Sequence, residues 1–223
     1  MRSRKGSLVL LLILVLASLV HAQERRPPRE LWNEVFTQRR GQEFPHNKFL
    51  EWAVKGKKPG KALDIGSGEG RNALFLASQG WEVTGIDISD VGVRLTREAA
   101  QKRGLKLEAQ IEDVDRYEYG TERWDLVVGM YMHAAITRNA AKIVESLKPG
   151  GLLVVEGFHR DQNRRGLEGQ YFGYQSNELL RVFDRLRVLH YEDVVAPADW
   201  RNGQDAPIVR FLAVKGSAAP GAR

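Results

Sequence analysis

Ala62-Leu63-Asp64-Ile65-Gly66-Ser67-Gly68-Glu69-Gly70 is an apolar run holding one carboxylate, followed by a glycine-rich turn. Arg71 to Gln79 then has the spacing of a helix. Glycines permit positive φ and let the backbone approach a ligand with no Cβ in between. Free amides at a helix start favour polar or anionic groups. Alone, such a loop is equally a tight strand-to-helix turn. Its spacing narrows the choice. The dinucleotide fingerprint runs G-x-G-x-x-G, whereas this loop runs G-x-G-x-G with Asp64 two places before Gly66. A carboxylate there repels a pyrophosphate and suits a ligand that carries an ammonium group.

Two further acids stand at the ends of later strand-like runs. Asp87 closes Glu82–Ile86, where a carboxylate can accept hydrogen bonds from both hydroxyls of a ribose. A helix N-cap is its other reading, although Ser89 or Asp90 can fill that role. Asp113 follows Leu105–Ile111, where its carboxylate can accept an adenine amino group while the amide of Val114 meets a ring nitrogen; solvation at the surface is the alternative. An ammonium, a ribose, an adenine and no phosphate together describe S-adenosylmethionine. A nicotinamide-dependent enzyme is the reading that Asp64 and the loop spacing disfavour.

Ala62 to Ser89, with Asp113, Trp124-Asp125-Leu126-Val127-Val128 and Leu147-Lys148-Pro149-Gly150-Gly151, resembles the class I, Rossmann-like S-adenosylmethionine-dependent methyltransferases motif by motif. The resemblance runs from about Gly60 to Lys215. Gly68-Glu69-Gly70-Arg71-Asn72-Ala73 and Gly80-Trp81-Glu82-Val83-Thr84 are similar, more narrowly, to the tellurite-resistance-type and related small-molecule branch. The resemblance implies that Asp64, Gly66, Ser67, Gly68 and Gly70 hold the methionine end of the donor. Asp87 and Ile88 would hold the ribose, and Asp113 and Val114 the adenine. Gly129 and Met130 would flank the amino-acid moiety and the reacting methyl. Arg71, in the first helical turn, would pair with the donor carboxylate or with an acid on the sheet. The resemblance also implies a three-layer α/β fold. Its seven-stranded, mostly parallel sheet ends in an antiparallel C-terminal hairpin, with helices on both faces and an N-terminal helical lid.

Methyl transfer from a sulfonium is an in-line displacement with an activated leaving group, so an enzyme supplies mainly proximity and orientation. A base is needed only where the acceptor has a proton to lose; thiolates and oxyanions do not need one. Tyr131 and His133 follow the fourth strand on the expected acceptor side, and His133 is a candidate base or orienting donor. His159 and Arg160 follow the fifth strand, where Arg160 can attract an anionic acceptor; His46 is a further candidate. The expected lid is the two N-terminal helices with Gly157 to Gln175, which carries Tyr171, Phe172 and Tyr174.

The elements that must position these groups alternate. Helices are expected at Arg29–Gln38, Lys48–Lys55, Arg71–Gln79, Val91–Arg103, Ile136–Leu147 and from about Ser176. Strands are expected at Ala62–Ile65, Glu82–Ile86, Leu105–Ile111, Trp124–Val128, Leu152–Val155, Arg187–Val195 and Ile208–Val214. Such alternation implies a mostly parallel sheet covered on both faces. Ahead of it, Arg2, Arg4 and Lys5, the aliphatic run Leu8–Val20 and the small residues near Ala22 have the pattern of a secretory signal peptide. The expected organisation is therefore a signal peptide over 1–22 and a linker with N-terminal helices over 23–59. A methyltransferase domain over 60–216 and a disordered tail over 217–223 complete it. Export follows from the leader, and anchoring in a membrane by an uncleaved leader is the alternative. An exported protein that binds the donor without catalysis is a second reading, because the donor is made in the cytoplasm.

Setting the leader aside lowers the net charge of +6 by three, and the remaining basic residues are dispersed rather than striped, so nucleic acid is not an expected partner. With no cysteine there is neither a disulfide nor a thiolate ligand, and no histidine pair has ligand spacing, so no metal is expected. The expected partner is a small-molecule substrate, and the expected state a monomer.

Overall fold

The computed structural model describes residues 27–42, 44–161, 173–199 and 203–216. Its strands are β1 (Lys61–Ile65), β2 (Glu82–Asp87), β3 (Leu107–Ile111), β4 (Trp124–Met130), β5 (Leu147–Phe158), β6 (Arg187–Pro197) and β7 (Asp205–Val214). The helices are α1 (Pro28–Gln38), α2 (Lys48–Val54), α3 (Arg71–Ser78), α4 (Asp90–Lys102), α5 (His133–Arg138), α6 (Ala140–Ser146) and α7 (Glu178–Val182).

One seven-stranded sheet runs in the order β3-β2-β1-β4-β5-β7-β6. β1 to β5 pair in parallel, and β7 inserts antiparallel between β5 and β6. The central strands read as continuous apolar runs because both faces are covered. Alternate residues feed two cores. Leu63, Val127, Leu153 and Val155 enter one, with Ile136, Ile143 and Phe211. Ala62, Leu126, Val128 and Val154 enter the other, with Leu50, Ala73 and Leu76. Strand order reverses between β1 and β4, so the connections leaving them diverge and open a crevice at their carboxyl ends. Every donor-site candidate lies on a segment that begins or ends at that edge of the sheet.

The expected helix Ile136–Leu147 is two helices, α5 and α6, and Leu147 is already the first residue of β5. The break is at Asn139, whose Nδ2 donates to the Ala135 carbonyl at 3.0 Å and to Asp115 Oδ1 at 2.7 Å. An asparagine side chain bonding locally offers the backbone an alternative to the next helical turn. Splitting there lets Ile136 press on β4, where a Cβ on Gly129 would lie 2.3 Å from its Cδ1. The third strand is shorter than expected, starting at Leu107, and β4 and β5 run on to Met130 and Phe158.

Candidate functional site

After Ile65 the chain turns through Gly66 (φ +69°) and Gly68 (φ +57°) to Gly70 (φ +83°), which starts α3 in the left-handed region. The loop is fastened to the neighbouring strand, since Gly66 N and Ser67 N both donate to the Ile86 carbonyl at 2.8 and 2.9 Å. Thr96 Oγ1 donates to the Gly68 carbonyl at 3.1 Å, which ties the loop to α4. The turn is thus rigid before any ligand arrives.

Asp64 is buried beneath this loop, and neither its Oδ2 nor the Oγ of Ser67 has a hydrogen-bond partner. Burial raises the Asp64 pKa to about 7; the charge of Asp87 adds to the rise, while Arg71 and the amide of Ala73 oppose it. Asp87 is also buried and its carboxyl is likewise raised by burial. It accepts Gly68 N at Oδ2 and Ser89 N at Oδ1, both at 2.8 Å. A carboxylate oxygen has two lone pairs, so each keeps one acceptor position for a hydroxyl. Orphaned buried acceptors under a rigid loop fit an ammonium, and a half-satisfied carboxylate beside them fits a diol. The residues present therefore suit S-adenosylmethionine.

Ile88 is half-buried next to Asp87. Asp113 follows β3, whose end is drawn to Asp87 by Glu112 N donating to the Asp87 carbonyl at 2.9 Å. Its Oδ1 accepts Asp115 N at 3.0 Å in a local turn and its Oδ2 lies 3.8 Å from Arg116. Val114 is half-buried against the core. Gly129 and Met130 form the buried end of β4, with the Met130 side chain in the second core. Met132 covers the loop, because a Cβ on Gly66 would lie 2.2 Å from its sulfur.

The expected acceptor side, around Tyr131, holds a buried polar network. Tyr131 holds φ +62°, donates its amide to the Glu156 carbonyl at 2.7 Å and donates its hydroxyl to Glu156 Oε1. Glu156 is 1% exposed. It accepts Asn47 Nδ2 at 2.6 Å and Arg210 Nε at 2.7 Å. Asn47 also donates to Asp199 Oδ2 at 2.7 Å, and Arg71 lies 3.7 Å from the same oxygen. Burial and the Glu156 charge push the Tyr131 hydroxyl far above its ordinary value, so it stays a neutral donor.

The structure places the candidate base His133 against the end of β5. Its Nε2 accepts the Phe158 amide at 2.8 Å, and burial lowers its pKa to about 4. Burial favours the neutral ring, which packs beside Tyr174 with that nitrogen bonded to the backbone. His159 and Arg160 are not brought into the network around Tyr131. His159 bonds Ser176 Oγ at 3.1 Å and accepts the Asp161 amide at 3.0 Å, and Arg160 donates to the Gly173 carbonyl at 3.2 Å. With Asp161, Gln175 and Ser176 they line an open cavity of about 410 Å³. His46 stacks on Phe75 at 4.0 Å and faces a separate groove over α3 and α4. Tyr171 and Phe172 lie outside the described residues, whereas Tyr174 is buried. Among the described residues no cluster of three histidine or acidic side chains is spaced to hold a metal ion.

Sequence reasoning missed Glu156, Asn47 and Arg210. The one available signal was Glu156 itself, an acid directly continuing the apolar run Leu152–Val155.

Residues 62–151 match the family described as a methyltransferase domain. Over 180 residues, 78% of this chain, the sequence is 26% identical to Hemagglutinin 1 of Eikenella corrodens, spanning 59% of that protein. Over 147 residues, 63% of this chain, it is 26% identical to the probable S-adenosyl-L-methionine-dependent methyltransferase TehB of Haemophilus influenzae, spanning 51% of it. The chain thus spans little more than half the length of these curated relatives. The solved structure of a SAM-dependent methyltransferase from Methanosarcina mazei superposes with a TM-score of 0.65 at 20% identity, covering 78% of this chain and 100% of that one. That likeness is one of fold.

Proposed function

We propose that this chain, a member of the class I, Rossmann-like S-adenosylmethionine-dependent methyltransferases, transfers the donor methyl group to a small-molecule acceptor. The observation that carries the donor half is the pair of buried acids around the glycine loop, Asp64 with an unbonded oxygen and Asp87 with one acceptor position left on each oxygen. Asp64 and Ser67 hold the ammonium end, Asp87 the ribose, and Asp113 with Val114 the adenine. The bound donor supplies a methyl group already activated by its sulfonium. The protein's share is then placement and exclusion of water.

Acceptors that arrive without a proton to lose, such as thiolates and oxyanions, suit this site best. Tyr131 is held as a hydrogen-bond donor by Glu156, and the Nε2 of His133 is committed to Phe158, so neither is poised to take a proton. The acidic partners Glu156 and Asp199 are balanced by Arg210 and Arg71. The leader over 1–22 supports export of the chain, and the dispersed charge supports a small acceptor over nucleic acid.

The test is transfer of label from methyl-labelled S-adenosylmethionine by the full chain to a panel of thiols, halides, tellurite, selenite, phenols and amines, with RNA and protein as controls. One small acceptor should gain label as an equal amount of S-adenosylhomocysteine forms. Label that reaches only RNA or protein would overturn the small-molecule assignment.

A further inference from the structure

We infer that this chain forms a two-fold homodimer in which β6 pairs antiparallel with β6 of a second copy, centred on Tyr191. The inference stands apart from the methyltransferase reading and departs from the monomer expected from the sequence.

The two edges of the sheet, β3 and β6, are unlike. β3 is five residues long and carries Glu108 and Gln110, a short and polar edge of the kind that does not invite another strand. β6 is 11 residues long, has no lysine and holds its proline at the last position. Val188, Tyr191, Val194 and Val195 give it the β-branched and aromatic content of an interior strand. Among the described residues it nevertheless pairs on one side only, with β7. Nine large hydrophobic side chains stand exposed among those residues. Four of them are Val188, Leu189, Val194 and Val195, and a fifth is Trp52 of α2, whose ring lies 4.8 Å from that of His190. These five are 39 to 52% exposed and gather at this one edge, which marks it as an interaction surface.

The charges along β6 fit a second copy of itself. His190, Glu192 and Val194 share the face of Leu212, Arg210 and Ile208, while Tyr191 and Asp193 share that of Phe211 and Val209. A two-fold axis normal to the sheet must keep like faces opposite, so it passes through a residue rather than between two. Centred on Glu192 or Asp193, it sets two like carboxylates against each other. Centred on His190, it meets the Leu189 bulge of each copy after a single residue pair. Centred on Val194 or beyond, it leaves Val188 and Leu189 uncovered. Centred on Tyr191, it sets His190 opposite Glu192 of the second copy, twice over, and beyond the bulge Arg187 opposite Val194. His190 already lies 3.0 Å from Glu192 of its own strand, so four side chains of alternating type gather about the axis. Trp52, packed on His190, stands beside them, where an aromatic anchor contributes most. Glu192 also accepts Arg210 Nη1 at 3.0 Å, and Arg210 holds Glu156. The dimer therefore braces the acid that holds Tyr131.

Because the chain has no cysteine, one introduced thiol reports the register. Directly opposite residues of antiparallel strands have Cα atoms about 4.5–5.5 Å apart, within the span of a disulfide. Under mild oxidation Tyr191→Cys should form a disulfide dimer of the full chain at least ~10-fold faster than Val195→Cys, whose two copies lie roughly 25 Å apart. The parent full chain, in a mild detergent that keeps the apolar run Leu8–Val20 from associating, should sediment as a dimer with a micromolar or tighter dissociation constant. Val194→Lys sets a lysine against Arg187 of the second copy at two places and should raise that constant at least ~10-fold, with circular dichroism unchanged. Tyr191→Cys removes the hydroxyl that accepts Asn177 N; should it fail to fold, sedimentation of the parent and of Val194→Lys decides alone. A parent that stays monomeric, a dimer in which both cysteines react alike, or a dimer indifferent to Val194→Lys would each overturn the inference.

Discussion

Replacing Asp64 by asparagine isolates the charge of the donor site with little change of shape. In the folded protein burial raises this carboxyl from 3.8 to about 7. A carboxyl whose folded pKa is raised holds its proton more tightly in the folded than in the unfolded chain. Its contribution therefore favours the fold at low pH and is lost as pH rises from about 4 through about 7. That rise is worth ~4 kcal/mol at ~1.4 kcal/mol per pH unit, which is the ceiling on what ionised Asp64 costs the ligand-free protein above pH 7. Asparagine removes the charge and keeps a buried polar group, so Asp64→Asn should gain ~1–3 kcal/mol at pH 8, or about 2–10 °C in Tm. The gain should shrink to nothing near pH 5. Ligand binding draws on the same group with opposite sign, because an ammonium beside Asp64 favours the carboxylate. At pH 6 a group with a pKa of about 7 is ~90% protonated. Calorimetry of S-adenosylhomocysteine binding in buffers of different ionisation heat should thus count ~0.9 proton released per site at pH 6 and ~0.1 at pH 8. Asp64→Asn should abolish the release. No proton release at pH 6, or a variant that melts below the parent at pH 8, would refute the assignment of Asp64.

Three further substitutions divide the site. Asp87→Ala removes the ribose acceptor and leaves the amides of Gly68 and Ser89 unpaired; donor affinity should fall by about 100-fold or more and Tm by several degrees, and unchanged affinity in calorimetry would remove the ribose assignment. Glu156→Gln breaks the buried pair with Arg210 and loosens Tyr131; denaturant unfolding should register a loss of ~3–5 kcal/mol, and a loss below about 1 kcal/mol would mean the network is not holding that edge. His133→Asn keeps an acceptor for Phe158 N. Since the imidazole already stays neutral with its pKa lowered to about 4, the pH profile of methyl transfer between pH 5 and 8 should be unchanged; loss of an acid-side fall in rate that the parent shows would restore His133 as the base.

The donor half of the site was legible because its parts are local. Asp64, the three loop glycines and the start of α3 fall within nine residues, and their type and order already encode strand, turn and helix. The charge of Asp64 is the feature of the sequence that favours an ammonium-bearing ligand over a pyrophosphate. Strand and helix placement followed from periodicity, since both faces of β1, β4 and β5 are covered and the runs are apolar throughout. The polar network around Tyr131 was not legible, because Asn47, Tyr131, Glu156, Asp199 and Arg210 come from five separated segments and meet only when the sheet is assembled. Tyr131 and His133 drew notice by position, yet what they can do depends on Glu156 and Phe158, which the pattern of residues does not pair with them. The break at Asn139 failed for a related reason: the helical period continues across it, and the side-chain bond to Asp115 that ends the helix is made to a distant residue.

Titration of the full chain with S-adenosylhomocysteine in a calorimeter tests the central claim most directly. One-to-one, saturable binding is predicted, with Asp87→Ala and Asp64→Asn weakening it and NAD giving no heat. Binding of NAD in its place, or no heat from S-adenosylhomocysteine, would contradict the account at its base.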